Sequence, residues 1–338
     1  MAKRTKISDI ANQLGVSVTL VSFVLNGKSK EMRISDEMRL KVLELAERMN
    51  YKPNYHAKSL RTGKSHTIGL IVADISNPFF AQIARYVEKE ASKYNYQVLF
   101  SSSDENKVKF ATQLEVLKDR TVDGFILTPP IGSDTILIDL VNEKKHFVII
   151  DRIFENVNAT SININNYQAA YNATIRLIQN NRKKIALLNV NYELISMQQR
   201  AKGYMDALSD QGFEINPALI KNLEFSHEKS LVSTAIQEII ANQADAVLFT
   251  TNKLGIFGIE SIREMGLSIP ENLSIISFDD TDAYRISSTT ISTIEQPLEK
   301  MCKEAVTILI KLIEGSFVSE APPKIQLEVR FIPRESCL

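Results

Sequence analysis

The polar residues best suited to chemistry sit one step beyond apolar runs. Asp151 follows the run 147–150, Asn252 comes just after 246–250, and Asp279-Asp280 follow 274–278. Runs of this kind read as buried parallel strands, and open α/β sheets present ligand-binding groups just outside the carboxyl ends of their strands. Arg200 lies early in a helix-patterned stretch, and Phe79, Phe80 and Phe225 offer flat faces. Carboxylates and an amide match hydroxyls, a guanidinium forks onto planar acceptors, and aromatic rings stack on flat apolar surfaces. Together they suit a sugar or a nucleobase. Asp151 with Asp279-Asp280 would also supply the carboxylate pair of a glycoside hydrolase. However, no nucleophile elbow, metal-ligand cluster or GxGxxG fingerprint accompanies them. Gly63-Lys64-Ser65 ends like a phosphate loop, but Lys58 stands where its first glycine is required. The pattern speaks for binding rather than catalysis, with no metal and no cofactor.

A second set of residues points to nucleic acid. Ile7, Ile10, Ala11 and Leu14 recur at i, i+3, i+4, i+7, the apolar stripe of a two-turn helix that Gly15 ends. Ser17 can cap a second helix whose inner face is Leu20, Val21, Val24 and Leu25. Two short helices joined by a tight glycine turn form a helix-turn-helix unit. On the opposite face of the second helix lie Val18, Thr19, Ser22, Phe23 and Asn26, the positions that would meet base edges in a major groove. After a basic loop (Lys28, Lys30, Arg33), Ser35 caps a third helix with Val42, Leu45 and Met49 as its seam. Pro53 stops that helix. Asn54 can cap a further short one to about Leu60, below the length that is stable alone in water.

Charge agrees with this division. The 338 residues carry 40 Lys/Arg and 40 Asp/Glu, but residues 1–64 hold 13 of the former against 6 of the latter. A head of net +7 on a body of net −7 is the electrostatic footprint of a phosphate-binding module. No apolar run reaches the roughly 18 residues of a membrane span, and no signal-peptide core follows the basic N-terminus, so a cytoplasmic location is expected. Cys302 and Cys337 lack metal-ligand spacing, and the four histidines are scattered.

From residue 67 onward, apolar runs alternate with amphipathic stretches. Strands are expected at 67–73, 96–101, 123–128 and 147–151, with helices at 79–94, 107–119 and 134–143. A second series follows, with strands at 161–164, 184–190, 246–250 and 274–278 and helices at 167–180, 198–211, 229–241 and 254–265. Strands at 291–294 and 325–331 flank a last helix over 297–313. The fold class is α/β: an all-α helix-turn-helix headpiece plus two parallel-sheet lobes with a cleft between them.

The chain resembles the lactose repressor (LacI/GalR) family. The stretches that carry the likeness run in order along essentially the whole sequence. They are Ile7-Ser8-Asp9-Ile10-Ala11, Gly15-Val16-Ser17, Val24-Leu25-Asn26-Gly27, Asn50-Tyr51-Lys52-Pro53-Asn54, Ala57-Lys58-Ser59-Leu60-Arg61, Ile68-Gly69-Leu70-Ile71-Val72, Asp74-Ile75-Ser76-Asn77-Pro78 and Arg334-Glu335-Ser336-Cys337. The resemblance implies a periplasmic-binding-protein-like body, with residues 1–52 as DNA-binding headpiece, 53–65 as hinge and 66–338 as effector-binding and dimerisation domain. It implies that hinge helices of two subunits enter the minor groove through Asn54, Ala57 and Leu60, Leu60 wedging into a base step. It assigns Phe79, Asp151, Arg200, Phe225, Asn252 and Asp279 to the effector pocket. The expected partners are double-stranded operator DNA, a second copy of the chain, and a small effector (a sugar or sugar phosphate, or a purine). A solute-binding protein of a sugar transporter would share the two lobes, but would carry a signal peptide and no basic headpiece.

Five departures from the family pattern stand out. Phe23 occupies a position that is commonly basic, and Leu20 one that is commonly Thr. The loop 27–34 is longer than usual, which suggests extra phosphate contacts or a displaced third helix. Lys253 and Asn165 each stand where an aspartate is usual.

Overall fold

The computed structural model describes residues 5–51, 63–190, 193–224, 228–317, 319 and 321–337. Contacts separate the chain into two units, 1–65 and 66–338.

The first unit is a three-helix headpiece of α1 (Ile7–Leu14), α2 (Val18–Leu25) and α3 (Asp36–Arg48). Gly15 closes α1 at φ 65°, a left-handed conformation that a side chain would oppose. Ser17 Oγ accepts from the Leu20 amide at 3.1 Å and Ser35 Oγ from the Met38 amide at 3.3 Å. Each such cap contributes about 1 kcal/mol, a large increment for a unit this small. The buried core is Ile10, Ala11, Val21, Val24, Val42, Leu45 and Ala46, with Leu14, Leu20, Leu25 and Met49 packed around it. The long loop before α3 folds back on itself: the Ile34 amide donates to the Ser29 carbonyl at 2.8 Å, and Ser29 is buried.

The second unit begins β1 (Thr67–Val72), α4 (Pro78–Ser92), β2 (Gln97–Ser102), α5 (Lys107–Asp119), β3 (Gly124–Leu127), α6 (Asp134–Asn142), β4 (Phe147–Ile150) and β5 (Thr160–Ile164). The chain then crosses to a second lobe. That lobe holds α7 (Asn166–Gln179), β6 (Ile185–Val190), α8 (Ile195–Asp210), β7 (Ile220–Leu223), α9 (Lys229–Ala241), β8 (Ala246–Phe249), α10 (Asn252–Glu264), β9 (Ser274–Phe278), α11 (Asp282–Arg285) and β10 (Ser292–Glu295). It returns with α12 (Leu298–Ile313), which packs on α4 and on β3, β4 and β5, and with β11 (Lys324–Leu327). Finally it crosses once more to β12 (Arg330–Ile332). The sheets run β11-β5-β4-β3-β1-β2 and β12-β10-β9-β8-β6-β7. All the pairings are parallel except β10 with β12.

Three expectations need correction. The strand near 161–164 belongs to the first sheet, beside β4, not to the second series. Apolar periodicity marks a strand but not its pairing partner. The single strand expected at 325–331 is two strands in different sheets, separated where the chain crosses at Glu328-Val329. The strand β7 was not foreseen, because Ile-Lys-Asn-Leu at a sheet edge carries neither alternation nor a long apolar run.

Two glycines fix helices that bear site residues. A Cβ on Gly203 would come within 2.2 Å of the Tyr167 carbonyl, so α8 approaches α7 at backbone contact. A Cβ on Gly255 would meet Tyr284 Oη at 2.0 Å, which seats the start of α10 against Tyr284. Tyr284 Oη donates to the Asn252 carbonyl at 2.8 Å.

Candidate functional site

The two lobes place an aspartate at the same point of their sheets. Asp151 is the first residue beyond β4 and Asp279 the first beyond β9, at φ 63° and 65°. Aspartate is one of the few residue types that tolerates this left-handed backbone. Each amide still extends its ladder: Asp151 donates to the Ile162 carbonyl and Asp279 to the Ile294 carbonyl, both at 3.0 Å. The side chains thereby leave the strand axis at the sheet's carboxyl edge.

Arg200, on the first turns of α8, is buried with its guanidinium carbon 3.9 Å from the centre of the Phe278 ring. Its Nε donates to Asn166 Oδ1 at 2.8 Å, and one terminal nitrogen donates to the Thr250 carbonyl. Burial pulls its pKa below the ordinary value, while the charges of Asp279 and Asp151 oppose that shift. A cation from the second lobe thus lies in the field of one carboxylate from each lobe.

Burial pushes the Asp151 carboxyl up to about 6, against the pull of Arg152 and Arg200 and with the help of Asp279 and Glu105. Arg152 is itself buried, 3.3 Å from Asp151 and hydrogen-bonded to Glu105. Burial also raises Asp279, offset by Arg200, by Gln296 Nε2 donating at 2.7 Å and by the Asn252 amide. Asn252 Nδ2 donates to Asn77 Oδ1 at 2.8 Å, and Asn77 caps α4 by accepting from the Phe79 amide at 3.0 Å. This bond joins the lobes, as does Lys253 Nζ at 3.7 Å from the buried Asp74. Asn252 Oδ1 and Gln296 Oε1 are buried acceptors that find no hydrogen-bond partner among the described residues. Phe79 and Phe80 meet edge to face at 4.9 Å between ring centres.

Phe79, Asp151, Arg200, Asn252 and Asp279 therefore line one cavity, together with Arg152 and Gln296. Its volume is about 50 Å³, and Phe79, Asn252, Asp279 and Gln296 also line a second cavity of about 1000 Å³. Phe225 lies outside the described residues, as do Asn54, Ala57 and Leu60 of the hinge. Sequence reasoning missed Arg152, Glu105, Gln296 and Asn77. Arg152 was detectable as the neighbour of a strand-end acid, and Asn77 as the cap before Pro78. Glu105 and Gln296 left no local signal. Asp280 turns away to a two-pronged pair with Arg334 at 2.7 and 2.9 Å, and Asn165 caps α7 by accepting from the Gln168 amide at 3.1 Å. Neither lines the smaller cavity.

On the headpiece, Val18 and Thr19 are exposed and Ser22 and Phe23 half-buried along the outer face of α2. Asn26 is exposed, but its amide folds back and donates to the Ser22 carbonyl at 2.7 Å. No single helix among the described residues is long and apolar enough to cross a membrane.

A helix-turn-helix headpiece carried on a two-lobed, cleft-bearing α/β body defines a ligand-responsive DNA-binding protein. The family model for bacterial regulatory proteins of the lacI family matches residues 6–54, and that for the periplasmic binding protein-like domain matches 175–337. The chain is 31% identical over 338 residues to the HTH-type transcriptional regulator RegA of Clostridium saccharobutylicum, covering 99% of each. It is 31% identical over 333 residues to the ribose operon repressor of Haemophilus influenzae, covering 98% of each. The crystal structure of the lac repressor dimer bound to operator and an anti-inducer superposes with a TM-score of 0.87 over 99% of this chain and 100% of that one, at 20% identity, a likeness of fold. The chain belongs to the lacI family of bacterial regulatory proteins. It is a DNA-binding transcription regulator with an effector-binding body, not an enzyme.

Proposed function

We propose that the protein is a cytoplasmic homodimeric repressor whose hold on a pseudo-palindromic operator is set by a neutral sugar in the inter-lobe cleft. In this reading residues 1–52 grip DNA through the outer face of α2, 53–65 form the hinge, and 66–338 bind the effector and the second subunit. The observation that carries it is the cleft's chemistry. Asp151, Asp279, Asn252 Oδ1 and Gln296 Oε1 gather acceptors, and both guanidiniums are already committed to carboxylates, carbonyls or a ring face. Such a lining matches the hydroxyl donors of a polyol and leaves little cationic field for a phosphate. Phe79 supplies the apolar face against which a sugar ring can lie. Proteins of like sequence or fold include a ribose operon repressor, the HTH-type transcriptional repressor PurR of Photobacterium profundum and the transcriptional regulator CelR in complex with cellobiose.

The body offers exposed apolar residues to a second subunit. Strand β2 is a sheet edge that exposes Leu99 and Phe100, and Ile286 of the other lobe is 83% exposed. An uncovered apolar edge strand is a liability that a symmetric partner removes.

Effector binding changes operator affinity only as far as the sugar prefers one lobe arrangement over the other. A thermal-shift screen of the full chain with sugars, sugar phosphates and purines tests the reading. A neutral sugar that raises the melting temperature and alters operator binding supports it. A response to purines or sugar phosphates alone overturns the ligand assignment.

A further inference from the structure

The reading face of α2 is short of the groups that discriminate guanine. A G·C pair is distinguished in the major groove by a bidentate donor, an Arg or Lys onto O6 and N7, and an A·T pair by a bidentate Asn or Gln or by apolar contact with the thymine methyl. The outward residues of α2 include no Arg, Lys or Gln. The amide at its C-terminal end, Asn26, is turned onto its own helix, donating to Ser22 O at 2.7 Å and to Ser22 Oγ at 3.3 Å. What remains at the tip is Val18, 44% exposed, Thr19, and the rim of the half-buried Phe23. Thr19 and Ser22 carry one hydroxyl each, which fits any base. An exposed valine on the second helix of such a unit is costly in water and becomes useful once it is covered.

Exposed cations follow α2 in the chain without belonging to its outer face. Lys28, Lys30 and Arg33 lie in the loop after α2. They can supply affinity through phosphates, a term that positions the headpiece but carries no base information.

Resting on the reading that α2 enters the major groove, we propose that this regulator recognises its half-site by apolar contact of Val18 and Phe23 with thymine methyl groups. The preferred operator then carries A·T pairs where α2 points and lacks a guanine contact there. Phe23 and Val18 are the specificity-determining residues, and Thr19 and Ser22 add hydrogen bonds that do not choose between bases.

The test begins with selection of bound duplexes from a random pool by the full-length protein. Each thymine of the enriched half-site is then replaced singly by uracil, which removes one methyl and nothing else. Wild-type affinity should fall about threefold to fivefold at one or two thymines per half-site. Val18→Ala or Phe23→Ala should abolish the sensitivity at the thymine each residue covers. Because Phe23 is half-buried, Val18→Ala, at an exposed position, keeps the test valid if the other variant is unstable. Phe23→Arg should shift the selected base toward guanine. Enriched sites in which every uracil is tolerated, or in which guanine dominates the contacted positions, overturn the proposal while leaving DNA binding intact. A pool with no enrichment overturns it together with the functional reading beneath it.

Discussion

The two sides of the cleft present the same residue in the same backbone conformation and surround it with different groups. On the first lobe Asp151 sits in an ionic cluster, with Arg152 beside it and Glu105 behind. On the second lobe Asp279 is held by neutral donors, Gln296 and the Asn252 amide. Arg200 lies between them. The difference shows how one strand-end motif can seat two buried acceptors among different partners. Burial raises both carboxyls: Asp151 is pushed up to about 6, and Asp279 moves in the same direction against the pull of Arg200, Gln296 and the Asn252 amide.

Removing the shared cation should break the comparison most severely. Arg200→Ala leaves the buried Asp279 without a counter-charge and Asp151 with Arg152 alone, and should lower stability by about 3 kcal/mol or more. Effector affinity should fall at least about 100-fold by calorimetry, while operator affinity measured below the melting temperature persists. Next in size, Gly203→Ala forces α8 off α7 and displaces Arg200. A loss of about 1–3 kcal/mol in a denaturant titration is expected, with weaker effector binding in proportion.

The aspartates themselves sharpen the contrast through pH. The folded pKa of Asp151, about 6, exceeds its unfolded value of about 4, so the folded body binds the extra proton as pH falls between them. The empty body should therefore gain stability as pH drops through that window. The ionised form is the one that accepts from hydroxyls, so effector affinity should decline below pH 6, by up to about tenfold per unit. In Asp151→Asn this pH dependence should weaken, whereas Asp279→Asn, which removes a charge that helps to raise Asp151, should move it to lower pH at reduced affinity. Calorimetry at pH 5, 6 and 7.5 separates the two. Smallest of all, Lys253→Met removes the cross-lobe pair with Asp74. Because that lysine is partly solvated, a change of two- to fivefold in effector affinity is expected, read in the same titrations.

Most elements were legible because helices and buried strands each impose a period on their apolar residues. Strand β9 could be read from its apolar residues alone, and α9 from its repeat. The lobe membership of β5 and the break between β11 and β12 were not, because crossing between sheets is a matter of long-range pairing. The site followed the same division. Asp151, Asn252 and Asp279 stand at strand ends, which sequence pattern marks. The Arg152–Glu105 pair joins residues 47 apart, and Gln296 reaches Asp279 across 17 residues. Such contacts exist only once the sheets have formed. The headpiece was legible for the opposite reason, since its caps at Ser17 and Ser35 act within three residues.

The most direct measurement is operator binding by fluorescence anisotropy at fixed salt, on the full-length protein, with and without the sugar identified by thermal shift. The account predicts a clear preference for the selected site over random duplex, a shift of that affinity on adding sugar, and loss of the shift but not of the preference in Arg200→Ala. Equal affinity for selected and random duplex, or an Arg200→Ala protein that still responds fully to the sugar, would contradict it.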